Sequence, residues 1–202
     1  DDTNNPEFGS YCCMEDLSSS SMLMPKWSAK SFLFLKIISS PFSLTLNSAT
    51  SSVNLNNFPA GNSFVVNVNT RLTASDAKAN VFMRFNDITG TVYDQVASHG
   101  VDDTEATVAA YNQSSFSLSF FPANGAPTYH SGNATIQLPN AKNTTFFKNF
   151  TAVGNHVTTG SEARVGITQG ICRSTGALSS IRFCVSEGDF ATGSYFAIAP
   201  AP

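Results

Sequence analysis

From about residue 31 to the end, apolar and polar positions alternate with a period of two, the pattern of strands that bury one face. Phe42, Leu44 and Leu46 alternate with Ser43 and Thr45, and Val53 and Leu55 with Asn54 and Asn56. Phe64, Val66, Val68, Thr70 and Leu72 form a longer run, followed by Val81, Met83 and Phe85, then Phe116, Leu118 and Phe120. Ile136 and Leu138, residues 146–153, Val165 and Ile167, the trio Ile181, Phe183 and Val185, and residues 195–198 complete the series. Turn-forming residues separate the runs: Pro59-Ala60-Gly61, Thr89-Gly90, Asn124-Gly125, Pro139-Asn140, Gly154-Asn155 and Gly188-Asp189. About ten short strands with regular turns predict an all-β fold, an antiparallel β-sandwich of jelly-roll-like character. The one helical candidate is 103–111 (DTEATVAAY), with Asp102 or Asp103 as its N-cap.

Residues 1–30 carry neither period. They hold Asp1, Asp2, Asn4, Asn5 and Pro6, the pair Cys12-Cys13, and a serine run from Ser18 to Ser21. They read as an extended arm that is ordered only against neighbouring subunits, which divides the chain into an arm, 1–30, and a sandwich domain, 31–202. Glu7-Phe8-Gly9-Ser10 also fits a cloning scar. Residues 22–40 place Lys before an apolar run, as a signal peptide does, but the run is internal and broken by Lys36, so a first strand is the better reading.

Composition sharpens this picture. Charged residues are 12 % of the chain against 42 % hydrophobic, where ordinary soluble domains carry about 25 % charge. The polar surface is therefore Ser, Thr, Asn and Gly, which are cheaper than charges to desolvate against a neighbour. Net charge is -3 and no basic run occurs, so nucleic acid is not an expected partner. No apolar stretch reaches the roughly 18 residues that span a bilayer, and no membrane partner is expected. Seventeen Phe against one Trp supply the filling between two sheets. The doublets Phe120-Phe121 and Phe146-Phe147 would send one ring of each pair away from the core if they lay on strands. Phe121, Phe147 and Trp27 are accordingly the candidate interface aromatics.

Residues that could carry chemistry are scattered. His99, His130 and His156 form no HxH or HxxxH pair, and Asp87, Asp94, Asp102, Asp103 and Glu105 lack the spacing of a calcium loop. The GxSxG, GxGxxG and GxxxxGK[ST] motifs do not occur. No catalytic, metal or cofactor residue is nominated, no cofactor is expected, and the chain reads as a non-enzyme. The NxS/T triplets at Asn112, Asn133, Asn143 and Asn149 are no more than such an Asn-, Ser- and Thr-rich chain produces by chance.

Several segments, taken in order, carry a resemblance. Residues 170–181 (GICRSTGALSSI) and 188–198 (GDFATGSYFAI) resemble the ending W-R-S-T-x-A-I-T-S-I then N-F-A-x-G-S-x-F-x-L-Y-G-I of a group of phage virion proteins. Residues 53–59 (VNLNNFP), Arg84-Phe85-Asn86 with Thr89-Gly90 and Tyr93, and 143–148 (NTTFFK) resemble V-D-F-x-x-I-P, L-R-F-N-x-x-T-G-x-x-Y and N-T-x-x-x-K of the same group. Cys172 stands where the group has Trp, and residues 196–200 (FAIAP) depart from its close. The resemblance covers about residues 40–198. It implies a structural β-sandwich of the virion: a capsid decoration or cement protein, a head fibre or a tail-fibre module. Its expected partners are capsid or tail subunits and further copies of itself, as a homotrimer or on a lattice. A host-attachment module binding a glycan through Trp27, Tyr93, Tyr111 or Tyr129 is the alternative reading, and a β-sandwich hydrolase a lesser one.

Cys172 and Cys184 have a geometry of their own. Residues 163–172 and 180–185 read as two strands of a hairpin around 174–179. Val165, Ile167, Ile171, Ile181, Phe183 and Val185 are odd-numbered and both cysteines even-numbered. The pair would then share the opposite face on adjacent strands, as a disulfide or as two close thiols.

Overall fold

The computed structural model describes residues 42–74, 80–101, 104–118, 120–121, 131–157 and 163–201. Among them are twelve strands and no helix. They are β1 (Phe42–Thr45), β2 (Ser52–Leu55), β3 (Phe64–Thr70), β4 (Val81–Phe85), β5 (Tyr93–Val101), β6 (Thr104–Gln113), β7 (Phe116–Leu118), β8 (Gly132–Leu138), β9 (Lys148–Val157), β10 (Ala163–Cys172), β11 (Ile181–Val185) and β12 (Tyr195–Pro200). Two antiparallel sheets pack as a sandwich: eight strands in the order β1-β12-β3-β8-β9-β10-β5-β6, and four in the order β2-β11-β4-β7. The chain crosses repeatedly between them, β1 to β2 to β3 to β4 and again β10 to β11 to β12.

The alternation read from the sequence decides what lies between the sheets. Phe64, Val66, Val68, Ile136, Leu138, Phe196 and Ile198 face Val53, Leu55, Val81, Met83, Phe85, Ile181 and Phe183 in one core. Phe116 is the hub of its aromatic part, with ring centroids 4.4 Å from Phe150, 4.7 Å from Tyr93 and 5.4 Å from Phe85. Tilted and edge-on contacts of this kind add to simple burial. Buried Gln95 ties the sheets together through polar groups: its Oε1 accepts the Ser117 N–H at 2.7 Å, and its Nε2 donates to the Ser117 carbonyl at 3.3 Å. A side chain of the large sheet thus continues the ladder at the free edge of β7.

Several expectations are corrected. Residues 104–111 are not helical; they belong to β6, which pairs antiparallel with β5. Thr, Val and Tyr side chains and a ready partner strand outweigh the helix propensity of its alanines. Gly154-Asn155 is no turn but the middle of β9, opposite Gly166 and Val165. Cys172 and Cys184 do not sit on adjacent strands. Cys172 lies on β10 between Tyr93 and Lys148, whereas Cys184 lies on β11 between Ser52 and Phe82, in the other sheet, and both are free. Residues 173–180 are a crossing between sheets rather than a hairpin turn, anchored midway by fully buried Leu178. Phe121 is no surface aromatic: it and Phe120 are both buried, because they follow the end of β7 and the strand rule of opposite faces does not bind them. Phe146 and Phe147 are both exposed, in the loop before β9. The arm 1–30 with Trp27, Cys12 and Cys13, the strand expected in 22–40, Asp102 and Asp103, the Asn124-Gly125 turn, Tyr129 and His130 lie outside the described residues.

Candidate functional site

In β10 the sequence pattern is inverted. Its inward positions are Gly166, Thr168, Gly170 and Cys172, and its outward ones Val165, Ile167, Gln169 and Ile171. Close packing under the strand explains the glycines. A Cβ on Gly154 would stand 2.6 Å from the Asn133 carbonyl and closer still to Phe120, and one on Gly170 would stand 2.6 Å from Phe116. Gly154 and Gly166 face each other across β9 and β10, and together they make the shelf on which the Phe120 ring lies. The large apolar side chains of β10 are consequently turned to the outside.

Neighbouring strands extend that outer face. Ile167 stands beside Val153 of β9 and Ser98 of β5; Gln169 stands beside Thr151 and Val96; Val96 stands beside Ala109 of β6. Val96, Tyr111, Val153, Val165, Ile167 and Ile171 are between 38 % and 62 % exposed on one surface. Exposed apolar side chains grouped in this way are the kind of surface found at interaction sites. Two shallow grooves run across it. One of about 380 Å³ is lined by Asp94, Val96, Tyr111, Asn149, Gln169 and Ile171, and one of about 270 Å³ by Ser98, Glu105, Val153, Val165 and Ile167. The charge at its border is balanced. Asp94 Oδ2 meets Arg173 Nη1 at 3.1 Å, Asp94 Oδ1 accepts the Asn112 N–H at 2.8 Å, and Arg173 donates to Thr91 O and Asn112 Oδ1.

Comparison with protein families, with curated proteins and with solved structures returns no match. The residues that carry the phage-virion resemblance nevertheless have definite structural work. Asn86, at φ 51°, accepts from the Ser179 and Ser180 N–H groups and donates to the Ala177 carbonyl, which pins the end of β4 to the 173–180 crossing. Asn143 Oδ1 accepts from Thr145 and Phe146. The Lys148 ammonium, buried at the start of β9, donates to the carbonyls of Asn143 at 2.5 Å, Phe146 at 2.9 Å and Thr175 at 3.2 Å. Burial draws its pKa below the ordinary lysine value, while the three carbonyls take the place of water. Farther along, the Ser194 hydroxyl bonds that of Thr70 and donates to Ala191 O at 2.6 Å, and Phe190 bridges Thr50 and Leu72. These motif residues are clasps between loops and sheets.

Other ionisable groups are held in their neutral forms by burial. The Cys172 thiol is pushed up to about 11 and the Tyr93 phenol to about 12; the phenol donates to Ile88 O at 2.9 Å and accepts the Phe85 N–H. His156 is pushed down to about 4, by burial first and by Arg164 opposite it second. The acidic residues do not converge: Asp87 pairs with Arg182 at 3.6 Å, Asp94 with Arg173, and Glu105 lies toward the far end of β6. Among the described residues no three His, Cys, Asp or Glu side chains gather as metal ligands, and no helix is long and apolar enough to cross a membrane. Of the nominated residues, then, Cys172 is buried, Cys184 half-buried and remote from it, Phe121 buried and Phe147 exposed. Periodicity alone does not mark the outer face of β10, because Val165, Ile167 and Ile171 read as core. The signal that marks it is glycine at the alternate positions 166 and 170.

Proposed function

We propose that this chain is a structural subunit of a virus particle, a phage virion component of the capsid-decoration, head-fibre or tail-fibre kind, and that it assembles through the outer face of β9, β10, β5 and β6. The single observation that carries the reading is the inverted strand β10, with Val165, Ile167 and Ile171 exposed and glycines beneath. Covering each such half-exposed side chain is worth on the order of 1 kcal/mol. The surrounding Asn, Thr, Ser and Gln are uncharged and cost little to desolvate. Low overall charge and motif residues that serve as clasps rather than as reactive groups support the same role. The test is copy number: the chain is quantified by gel densitometry in particles purified from the producing cells. A fixed stoichiometry is expected, hundreds of copies for decoration and a handful for a tail; absence from the particles overturns the reading.

One observation favours a glycan-binding role beside it. Tyr111 is exposed at the larger groove, next to Asp94, Asn149 and Gln169, an aromatic flank with amides and a carboxylate as sugars require. Glycan-array binding by the isolated chain that is lost in Tyr111→Ala supports this role, and a blank array removes it.

A further inference from the structure

We propose that β6 is the contact edge of a two-fold pair, in which β6 of one copy lies antiparallel against β6 of a second copy and joins the two large sheets into one. β6 runs ten residues, Thr104–Gln113, and among the described residues its one strand neighbour is β5. Among the described residues, its other side presents a row of backbone N–H and C=O groups without strand partners. From Glu105 to Gln113 the side chains are exposed on both faces, apart from half-buried Ala110, since β7, the last strand of the small sheet, reaches only as far as β5. The usual guards of a free edge are missing. The strand is long, contains no Lys, Arg or Pro, and has Glu105 as its one charged residue. Its irregularity is confined to the end that pairs near Tyr93 and Gln95, where Asn112 sits at φ 55°.

Length and charge select the occupant. Among the described residues the other sheet edges, β1, β2 and β7, have four, four and three residues, too short to match β6. A strand laid antiparallel on its own copy is two-fold symmetric by construction, so the contact closes on itself instead of propagating as a filament. Pairing centred near Thr107 or Val108 keeps the two Glu105 side chains at least about 13 Å apart along the strands, at about 3.4 Å per residue, beyond the roughly 10 Å over which salt leaves repulsion effective. Val108 and Tyr111, 54 % and 62 % exposed, gain cross-strand neighbours. An edge about 34 Å long on a sheet about 10 Å thick presents about 340 Å² in projection, the low end for a specific pair, so association belongs in the micromolar range. The pair does not depend on the chain being part of a particle, and particle stoichiometry is measured separately.

The test uses the full chain in solution. Sedimentation equilibrium at about 100 µM, the range set by that affinity, is expected to give twice the 21.5 kDa chain mass. Alternate amides of residues 104–110 are expected to exchange slowly with deuterium and to become fast on dilution. Single cysteines at positions 106 to 110, in a chain with Cys12, Cys13 and Cys184 changed to Ser, locate the axis. Under mild oxidation one or two of them form a disulfide-linked dimer, since directly opposed residues have the Cα spacing a disulfide tolerates. Val165→Cys on the outer face does not. A monomer at that concentration, a dimer with fast β6 exchange, a monomer whose β6 amides are protected by its own chain, or cross-linking at position 165 in place of 106–110 each overturns the proposal.

Discussion

Gly154 and His156, two positions apart on the inward face of β9, are both buried where a small change in the residue is felt. Gly154→Ala would drive a methyl to 2.6 Å from the Asn133 carbonyl and 2.5 Å from the Phe120 ring. The expected cost is about 2 kcal/mol, within the range for overpacking, read as a lower urea midpoint; Gly176→Ala, where only Ser174 Oγ lies near at 3.7 Å, is the neutral control. His156 makes stability depend on pH. Its folded pKa is about 4 against an ordinary 6.5, so between those values the unfolded chain binds a proton that the folded chain refuses. Its contribution is complete above pH 6.5, declines as pH falls through the window, and by pH 4 the loss approaches about 3 kcal/mol. Urea midpoints at pH 7.5 and 4.5 are expected to differ more in the parent chain than in His156→Gln; equal differences would contradict the burial argument.

Among elements, the 173–180 crossing is held from several sides, and Asn86 is its main clasp. Asn86→Ala removes the bonds to Ala177, Ser179 and Ser180 and leaves a non-glycine residue at φ 51°. The expected loss is about 2 kcal/mol, with faster amide exchange at 178–180, and Asn86→Gly separates the backbone cost from the hydrogen bonds. The strands themselves were legible in the sequence because alternation is a direct consequence of one-sided burial; β3, β4, β8 and β11 bury the faces their Phe, Val, Ile and Leu foretell. What alternation cannot encode is which sheet a strand joins. Residues 174–179 between Cys172 and Cys184 have the composition of a hairpin turn, yet Leu178 is a buried anchor in a crossing between sheets. β6 carries a helix-like sequence for a related reason, since an edge strand exposed on both faces has no burial period to display.

On the assembly proposed above, the outer face is bare in the isolated chain and covered in the particle. Ile167→Asp is therefore expected to leave thermal stability within about 0.5 kcal/mol, as exposed substitutions do, while abolishing incorporation into particles. An unfolded variant, or one incorporated normally, would show that this face is not the contact. The location of this candidate site was hidden in the sequence, because strand β10 places its apolar residues outward and its small ones under Phe116 and Phe120. The most direct measurement is hydroxyl-radical footprinting of the chain within purified particles against the isolated chain. The account predicts that Val153, Val165, Ile167 and Ile171 become protected in the particle while Phe146, exposed in the loop before β9 and lining neither groove, keeps its reactivity. Equal oxidation of those four residues in both states, or no chain in the particles at all, would contradict it.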